Sequence, residues 1–370
     1  MTAIQAPWAG VRKLLAVRLD SLGDVLMTTP ALAALREGLP TAQLHLLTSP
    51  AGAALAPHLP QVDDVLAWDA PWVAPRTAAQ PAEPLGHAEL ALVQQLAAAG
   101  YQAAVIFTVC TQSALPAALL CRLAGIPLRL AHCRENPYGL LSHWVRDDDR
   151  PGDGMRHEVR RQLDLVASAG FAATATASAA PLRLALHEAD RHAVRQRLAA
   201  AGLPAQQPYF VVHPGAAAAS RRYPPESFAA AARALAADTG HAAVLAGSAD
   251  DAPQLDALHQ AMAGAALRMD PLPLGQLAAL IEGACVLLCN NSAPAHIAAA
   301  VGAPVVVLYA LTNPQHTPWA ARSRVLSHPV PCSGCLKSVC PEGHHACLRG
   351  VPPQRVAAAA RALMHGAQAR

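Results

Sequence analysis

The sequence predicts an α/β protein made of two doubly wound parallel sheets, and three observations carry that expectation. Apolar, β-branched runs alternate with helix-patterned stretches along most of the chain, as β-loop-α units do. The 370 residues exceed what one hydrophobic core usually holds, so two domains follow. The stretch Leu287 to Trp319, LLCNNSAPAHIAAAVGAPVVVLYALTNPQHTPW, reads as strand, tight loop, short helix, strand and polar loop. Two strand ends and a helix start then meet at one crevice, where open α/β sheets bind ligands.

Lys13 to Val17 is the first expected strand. It runs into Arg18-Leu19-Asp20-Ser21-Leu22-Gly23-Asp24 and a helix ending at Gly38 or Pro40. Pro30 either kinks that helix or restarts it with Thr29 as its cap. Gln43 to Thr48 and a segment around Val62 to Trp68 are the next strands. The first strand-helix turn lacks the G-x-G-x-x-G of a dinucleotide fold and carries Asp24 instead. Asp24 either caps the helix or, kept ionised by the helix dipole, takes a proton from a hydroxyl. Asp69 to Gly86 reads as a loop. Helix His87 to Ala99, strand Ala103 to Phe107, helix Ser113 to Ala124 and strand Leu128 to Ala131 continue the alternation. Asp147 to Gly154 predicts a polar, mobile loop before an amphipathic helix, His157 to Ala169, whose His157 and Arg160 read as a solvated face. Ala172 to Pro181 is the expected linker, closing a first domain at residues 1–180.

The second domain, residues 181–350, opens with helix Glu188 to Ala201 and strand Tyr209 to Val212. His213-Pro214-Gly215 turns the chain; His213 either lines the cleft or builds the turn. A loop of small residues and Ser220 leads to Arg221-Arg222 and helix Pro225 to Asp238. Exposed backbone N–H groups flanked by two guanidiniums suit a diphosphate, which Arg binds bidentately. After strand Ala243 to Ala246, Asp250 and Asp251 stand where an acidic residue accepts from a ribose hydroxyl. Helix Leu274 to Glu282 leads to a short strand, then Asn290-Asn291-Ser292 and a helix through His296 to Gly302, with Pro294 in its first turn. Val305 to Leu308 is a central strand. Residues 351–370 form a final helix started by Pro352-Pro353.

A net charge of +3 is too mild to imply a nucleic-acid partner, no block of like charge supports one, and none is expected. Only Lys13 and Lys337 occur as lysines, so the abundance of Ala and Arg reads as codon bias. Arg12, Lys13, Arg18 and Asp20 interrupt the one apolar run near the N-terminus, so no signal peptide is expected there. No apolar stretch is long enough to span a bilayer. The expected location is cytoplasmic, at most peripheral to the inner membrane. Nine cysteines in such a chain argue for thiols or metal rather than disulfides.

The segments RLDSLGDVLMTTPAL, HPGA…SRRYPPESFA, the GSADD after it, and LAALIEGACVLLCNNSAPAHIAAAVGAPVVVLYALTNPQHTPW together resemble glycosyltransferase family 9. This is the family of ADP-heptose:lipopolysaccharide heptosyltransferases, and the matches follow its order from Arg18 to Trp319. The resemblance implies a GT-B fold: two Rossmann-like domains facing a central cleft, with the last helix crossing back to the first. It also implies an inverting transferase that moves a sugar from an ADP-heptose-like donor to a glycolipid, protein or small-molecule acceptor. Asp24, after Gly23, matches the family's catalytic base. Arg221 matches a basic position, usually lysine, that binds the donor diphosphate, with Arg222 beside it. Asp251, or Asp250, matches the carboxylate on the ribose; His213 and Gly215 belong to the same donor side. Asn291, Ser292, Ala293 and His296 match a D-[ST]-G-x-x-H segment holding the donor, with Asn291 in place of aspartate and Ala293 in place of glycine. No catalytic metal is implied, since fixed guanidiniums and helix dipoles can stand in for one. The rival readings are a nicotinamide-dependent oxidoreductase and a catalytically silent scaffold that keeps the cleft.

Separately, PCSGCLKSVCPEGHHACLRG holds Cys332-x2-Cys335-x4-Cys340-x6-Cys347, with His344 and His345 in the last interval. One C-x2-C pair in a short polar loop is metal-knuckle spacing. The expected ligands are the four thiolates, or three with a histidine, holding zinc or iron; some family members that modify autotransporters carry a four-cysteine metal finger. The alternative is a loop of reduced thiols. Cys110, Cys121, Cys133, Cys285 and Cys289 read as core side chains.

Overall fold

The computed structural model describes residues 4–73, 85–150, 155–172 and 180–368. The chain divides into two compact units, Met1–Ala180 and Pro181–Arg370. Much of the expected linker, and the end of the Asp147–Gly154 loop, lie outside the described residues.

The first unit holds strands β1 (Lys13–Arg18), β2 (Gln43–Thr48), β3 (Asp64–Ala67), β4 (Ala103–Ile106), β5 (Leu128–Cys133) and β6 (His143–Arg146). They form one sheet in the order β3-β2-β1-β4-β5-β6, every pairing parallel. Its helices are α1 (Ala6–Ala9), α2 (Leu22–Gly38), α3 (Pro50–Ala53), α4 (His87–Ala99), α5 (Leu115–Leu123) and α6 (Glu158–Ala167). β1 and β4 lie at the centre, covered on both faces, so Leu14 to Val17 and Ala103 to Ile106 read as unbroken apolar runs and are all buried.

Helix α2 starts in a capping box: Ser21 accepts from the Asp24 N–H while the Asp24 side chain accepts from the Ser21 N–H. Pro30 neither breaks nor restarts it. Proline removes the donor that would serve the Leu26 carbonyl, and the Thr29 hydroxyl donates to that oxygen instead at 2.6 Å. Val25 through Leu35 are buried, so packing on the sheet holds the helix through the proline.

The second unit repeats the plan with β7 (Tyr209–His213), β8 (Ala242–Leu245), β9 (Leu267–Arg268), β10 (Leu287–Asn290), β11 (Val305–Leu308) and β12 (Ser323–Leu326). Their order is β12-β11-β10-β7-β8-β9, again all parallel. Helices α7 (Glu188–Ala200), α8 (Pro225–Thr239), α9 (Ala252–Ala261), α10 (Leu274–Glu282), α11 (Ala293–Val301), α12 (Ala346–Arg349) and α13 (Pro353–Gln368) accompany it. The last of these, α13, packs on α8, β11 and β12 of its own unit. Val356, Ala357, Ala360, Leu363 and Met364 form its buried face; Arg361 pairs with Asp238.

In both units the polar side chains of interest lie at or just beyond the carboxyl ends of strands: Arg18 to Asp24 at the end of β1, His213 at the end of β7, Asp251 after β8, Asn290 at the end of β10 and Asn313 after β11. Parallel topology alone brings such ends to one edge.

Candidate functional site

At the first unit's carboxyl edge a buried guanidinium is surrounded by acids. Arg18 is 0% exposed and lies 2.9 Å from Asp20, 3.3 Å from Asp24 and 2.8 Å from Glu158. Burial works against its charge, but Asp20, Glu158 and Asp24 outweigh that effect and raise its pKa. Burial pushes the Asp20 carboxyl up to about 6, against the pull of Arg18 and with a further push from Asp24. The Asp24 carboxylate is fixed three times over: one oxygen faces Arg18, and the other accepts from the Ser21 N–H at 3.1 Å and hydroxyl at 2.6 Å. Its side chain keeps 13% exposure, so it is held without being sealed. Gly23 lies buried in the same helical turn.

A second ionic cluster adjoins this one through α6. Arg161 is buried and reaches Asp147 at 2.9 Å and Asp149 at 3.5 Å, and Arg156 joins Asp149 to Asp164. The expected mobile loop is therefore pinned at its start, since Asp147 and Asp149 are 6% and 5% exposed. His157 caps α6 by accepting from the Val159 N–H at 3.2 Å; Arg160 pairs with Asp164 at 2.8 Å. Sequence patterning misses Glu158, Asp147 and Arg161, because polar residues on a helix read as solvated until their partners, distant in sequence, are known.

The second unit's edge is built mainly from amides and hydroxyls. Asn290, fully buried, ties two loops together: its Nδ2 donates to the Pro214 carbonyl at 2.6 Å and its Oδ1 accepts from the Tyr223 N–H at 3.0 Å. Asn291 donates from Nδ2 to Asn313 Oδ1 at 3.0 Å, where the Thr312 hydroxyl also donates at 2.8 Å. Asn313 in turn meets His316 Nδ1 at 2.8 Å, and its carbonyl accepts from the Tyr309 hydroxyl. An aspartate at 291 has no N–H to give Asn313, so the asparagine that departs from the family pattern is matched to a partner amide. Ser292 caps nothing and donates instead to the Gly215 carbonyl at 3.1 Å. Ala293 and Pro294 open α11, and His296 is buried in its first turn.

Arg221 ends a short 3-10 turn, Ala219–Arg221, and its buried Nε has no hydrogen-bond partner among the described residues. It stands near Tyr309, whose phenol is raised by burial and pulled back by the Arg221 charge and the Asn291 side chain. Arg221 and Asn291 are thus brought to one place. Arg222 turns elsewhere: its Nε donates to the Ala216 carbonyl at 2.8 Å, and it borders an open cavity of about 500 Å3 with Gln254, His345 and Arg349.

The structure separates the two candidate ribose acids. Asp250 is exposed, whereas Asp251 turns inward, accepting from the Ser248 N–H at 2.9 Å and hydroxyl at 2.7 Å. A Cβ on Gly215 would stand 2.0 Å from Asp251 Oδ1, so only glycine admits the carboxylate there. His213 Nε2 is 3.9 Å from the same carboxylate. Burial lowers the His213 pKa, and Asp251 opposes that only in part.

The Cys332–Cys347 segment follows β12. Its four cysteines are half-buried, and Cys332 Sγ lies 3.9 Å from His344 Nε2. Burial, with Cys332, Cys340 and Cys335 nearby, pushes the Cys347 thiol up. Among the described residues no group of three or more side chains is set to hold a metal ion. Cys110, Cys121, Cys133 and Cys289 are buried in the two units.

Comparison with known proteins bears on the chain as a whole. The family model described as glycosyltransferase family 9 (heptosyltransferase) matches residues 90–346. The chain is 26% identical over 368 residues to lipopolysaccharide heptosyltransferase 2 of Escherichia coli K12, spanning 95% of this chain and 98% of that one. Among solved structures it resembles a family 9 glycosyltransferase from Veillonella parvula, with TM-score 0.79, 20% identity and 98% and 99% of the two chains covered. It resembles the E. coli heptosyltransferase WaaC bound to ADP-2-deoxy-2-fluoro heptose, with TM-score 0.63, 20% identity and 88% and 97% covered. A more distant likeness is to the iron-containing dodecameric glycosyltransferase TibC of enterotoxigenic E. coli, at TM-score 0.52, 15% identity and 96% and 77% covered.

Proposed function

The chain belongs to glycosyltransferase family 9 and has the GT-B fold, and from that premise we propose that it moves a heptose from an ADP-heptose-type donor to an acceptor hydroxyl with inversion. The oxidoreductase alternative falls with the family assignment, and the turnover assay below separates an active transferase from a catalytically silent relative. The observation that carries the proposal is the Arg221 guanidinium, whose buried Nε has no partner among the described residues and which shares the Tyr309 hydroxyl's surroundings with Asn291, just ahead of helix α11. A cation left open next to a helix N-terminus favours an anion of two or more charges, which a nucleotide diphosphate supplies. The name of the relative, lipopolysaccharide heptosyltransferase 2, matched over nearly its whole length, supports a lipopolysaccharide sugar as acceptor. No described helix is long and apolar enough to cross a membrane, and we place the enzyme at the cytoplasmic face of the inner membrane, in peripheral contact at most.

In this reading Asp251 and the Gly215 turn hold the ribose and Arg221 the diphosphate, while Asn291, Ser292 and His296 hold the sugar and phosphates. Asp24 takes the proton from the acceptor hydroxyl as that oxygen attacks the anomeric carbon. The bond to the diphosphate breaks, and the charge that develops there falls on Arg221 and the N–H groups opening α11. Arg18 and the Ser21 N–H keep the Asp24 carboxylate in one orientation throughout.

We also propose, from the C-x2-C spacing alone, a structural zinc or iron on Cys332, Cys335, Cys340 and Cys347, although among the described residues no three of these side chains are set around an ion. The thiols lie close enough to act on Cys347, and a bound cation reverses the cost of ionising them together. The ion would supply a cross-link for a loop with little core of its own.

The test is ADP release from ADP-heptose with lipooligosaccharide as acceptor. Asp24→Asn is expected to cut turnover by roughly 10²–10⁴-fold while ADP still binds, and Arg221→Ala by roughly 10²–10³-fold with weaker ADP binding. Near-normal turnover in Asp24→Asn would remove the base from this mechanism.

A further inference from the structure

The cysteine-rich segment is hydrogen-bonded to both donor-side loops. Ser220, directly before Arg221, is 4% exposed. Its hydroxyl donates to the Lys337 carbonyl at 2.7 Å and its N–H to the Ser338 carbonyl at 3.0 Å. From the same segment, the Gly334 N–H donates to the Leu311 carbonyl at 2.6 Å and the Leu336 N–H to the Thr312 carbonyl at 3.2 Å. Thr312 is the neighbour of Asn313, and both reach Asn291 through the shared Asn313 Oδ1. Residues 334–338 therefore bridge the Arg221 loop to the Asn291 network. Cys335 sits inside the bridge, and Cys332 and Cys340 lie just outside its ends. A further bond, from the His328 N–H to the Cys347 carbonyl at 2.8 Å, fastens the far end of the segment next to β12.

The bridge has no regular structure to keep its shape. Gly334 and Leu336 both adopt left-handed backbone, with φ of 78° and 53°, which is unfavourable for a leucine. Lys337, Ser338 and Val339 are exposed. Ordering such a stretch costs more backbone entropy than four ordinary hydrogen bonds offset. In and around it stand Cys332, Cys335, Cys340 and Cys347, half-buried free thiols whose bonding state decides how firmly the stretch is tied.

We propose that residues 334–338 are a clamp that sets Arg221 and Asn291 at the donor, with Ser220 as its positioning residue, and that the state of the four thiols controls nucleotide affinity through it. The clamp rests on reading the Arg221 loop as the diphosphate site, so the experiment separates the two. ADP binding is measured by calorimetry on the full chain for wild type, Arg221→Ala, Ser220→Ala, Cys335→Ser/Cys340→Ser and the triple combination of the last two. Donor and acceptor KM are measured alongside. Ser220→Ala is expected to weaken ADP by roughly three- to tenfold, as one lost hydrogen bond does, raising donor KM and leaving acceptor KM alone. The cysteine pair is expected to weaken ADP at least as much, and the triple variant no further than the pair, because both act through one bridge. Should the cysteine variant fail to fold, alkylation of the native protein with iodoacetamide replaces it, with the same expected loss. Wild-type ADP affinity in the folded cysteine variant or the alkylated protein, or fully additive losses in the triple variant, overturns the clamp while Arg221→Ala still binds poorly. Unchanged ADP affinity in Arg221→Ala overturns the diphosphate site, and the clamp with it.

Discussion

The two carboxyl edges are built on the same sheet plan and from opposite chemistry. In the first unit the charges close on one another: three carboxylates surround Arg18, and Asp147 and Asp149 surround Arg161. In the second the frame is neutral, made of Asn290, Asn291, Asn313, Thr312 and Tyr309, and Arg221 keeps a buried Nε with no partner among the described residues. Under the proposed function, the difference follows from what each edge would have to hold. A base must be fixed in place before the substrate arrives, and surrounding charges do that. A diphosphate needs a cation that the protein has not already neutralised, so the scaffold around it is held by amides, which satisfy buried geometry without supplying counter-charge.

Removing the charge at the centre of the first edge is the strongest way to break the comparison. Arg18→Met leaves the buried Asp20 and Glu158, and the half-buried Asp24, together without a cation, and losing one partner of a buried charge cluster costs about 3–5 kcal/mol. Thermal melts should show a large drop for Arg18→Met at neutral pH that shrinks in acid, where the carboxylates protonate. A melting point equal to wild type at pH 7 would mean the cluster is not closed as described.

Most of the fold could be read from the chain, and much less of the site's frame. Central strands such as Leu14 to Val17 and Val305 to Leu308 are covered on both faces, so continuous apolar runs announce them. The strands that escaped notice, His143–Arg146, Leu267–Arg268 and Ser323–Leu326, are short edge strands carrying arginines, because an edge meets solvent and tolerates charge. Local chemistry was legible where it acts locally: Asp24 in the first turn of α2, Gly215 in a turn, Asn291 before α11. The supporting residues were not. Glu158 stands 140 positions from Arg18, and no spacing rule links them. Asn290 and Tyr309 look like ordinary strand-end residues. Asn313 and His316, three apart after a strand, were the one available sign of the amide network.

A second prediction uses pH to sharpen the same contrast. Asp20 has its folded pKa raised from 3.8 to about 6, chiefly by burial, with Arg18 opposing and Asp24, Gln112 and Glu158 also facing it. A raised carboxyl holds a proton in the folded protein that the unfolded chain gives up, so this group favours folding below about pH 4. That contribution is lost as pH rises to about 6, a change of up to about 3 kcal/mol. Melting wild type and Asp20→Asn in parallel from pH 4 to 7 should show the wild-type advantage falling across that window and flat above it. A constant difference would show that Asp20 is ionised throughout and that Arg18 outweighs its burial.

The smallest effect falls on the second edge, and it isolates geometry from charge. Gly215→Ala changes no charge and removes no hydrogen-bonding group, yet the new Cβ would lie 2.0 Å from Asp251 Oδ1 and 2.2 Å from Asp251 Cγ. Something has to move. The Asp251 carboxylate is the movable part, because the Gly215 carbonyl is tied to Ser292 and the adjacent Pro214 carbonyl to Asn290. Swinging it out breaks the Ser248 capping box and withdraws the acid from the ribose position. Losing one hydrogen bond to a charged group costs about 1.5–3 kcal/mol, so ADP affinity should fall by roughly ten- to a hundredfold. The melting point should drop only modestly, since Gly215 sits in a turn and not in a strand. Adenine alone should bind Gly215→Ala and wild type equally, because the ribose contact is what the substitution removes. If ADP binding survives the substitution intact, Asp251 is a helix cap and no more, and the ribose is held by some other group.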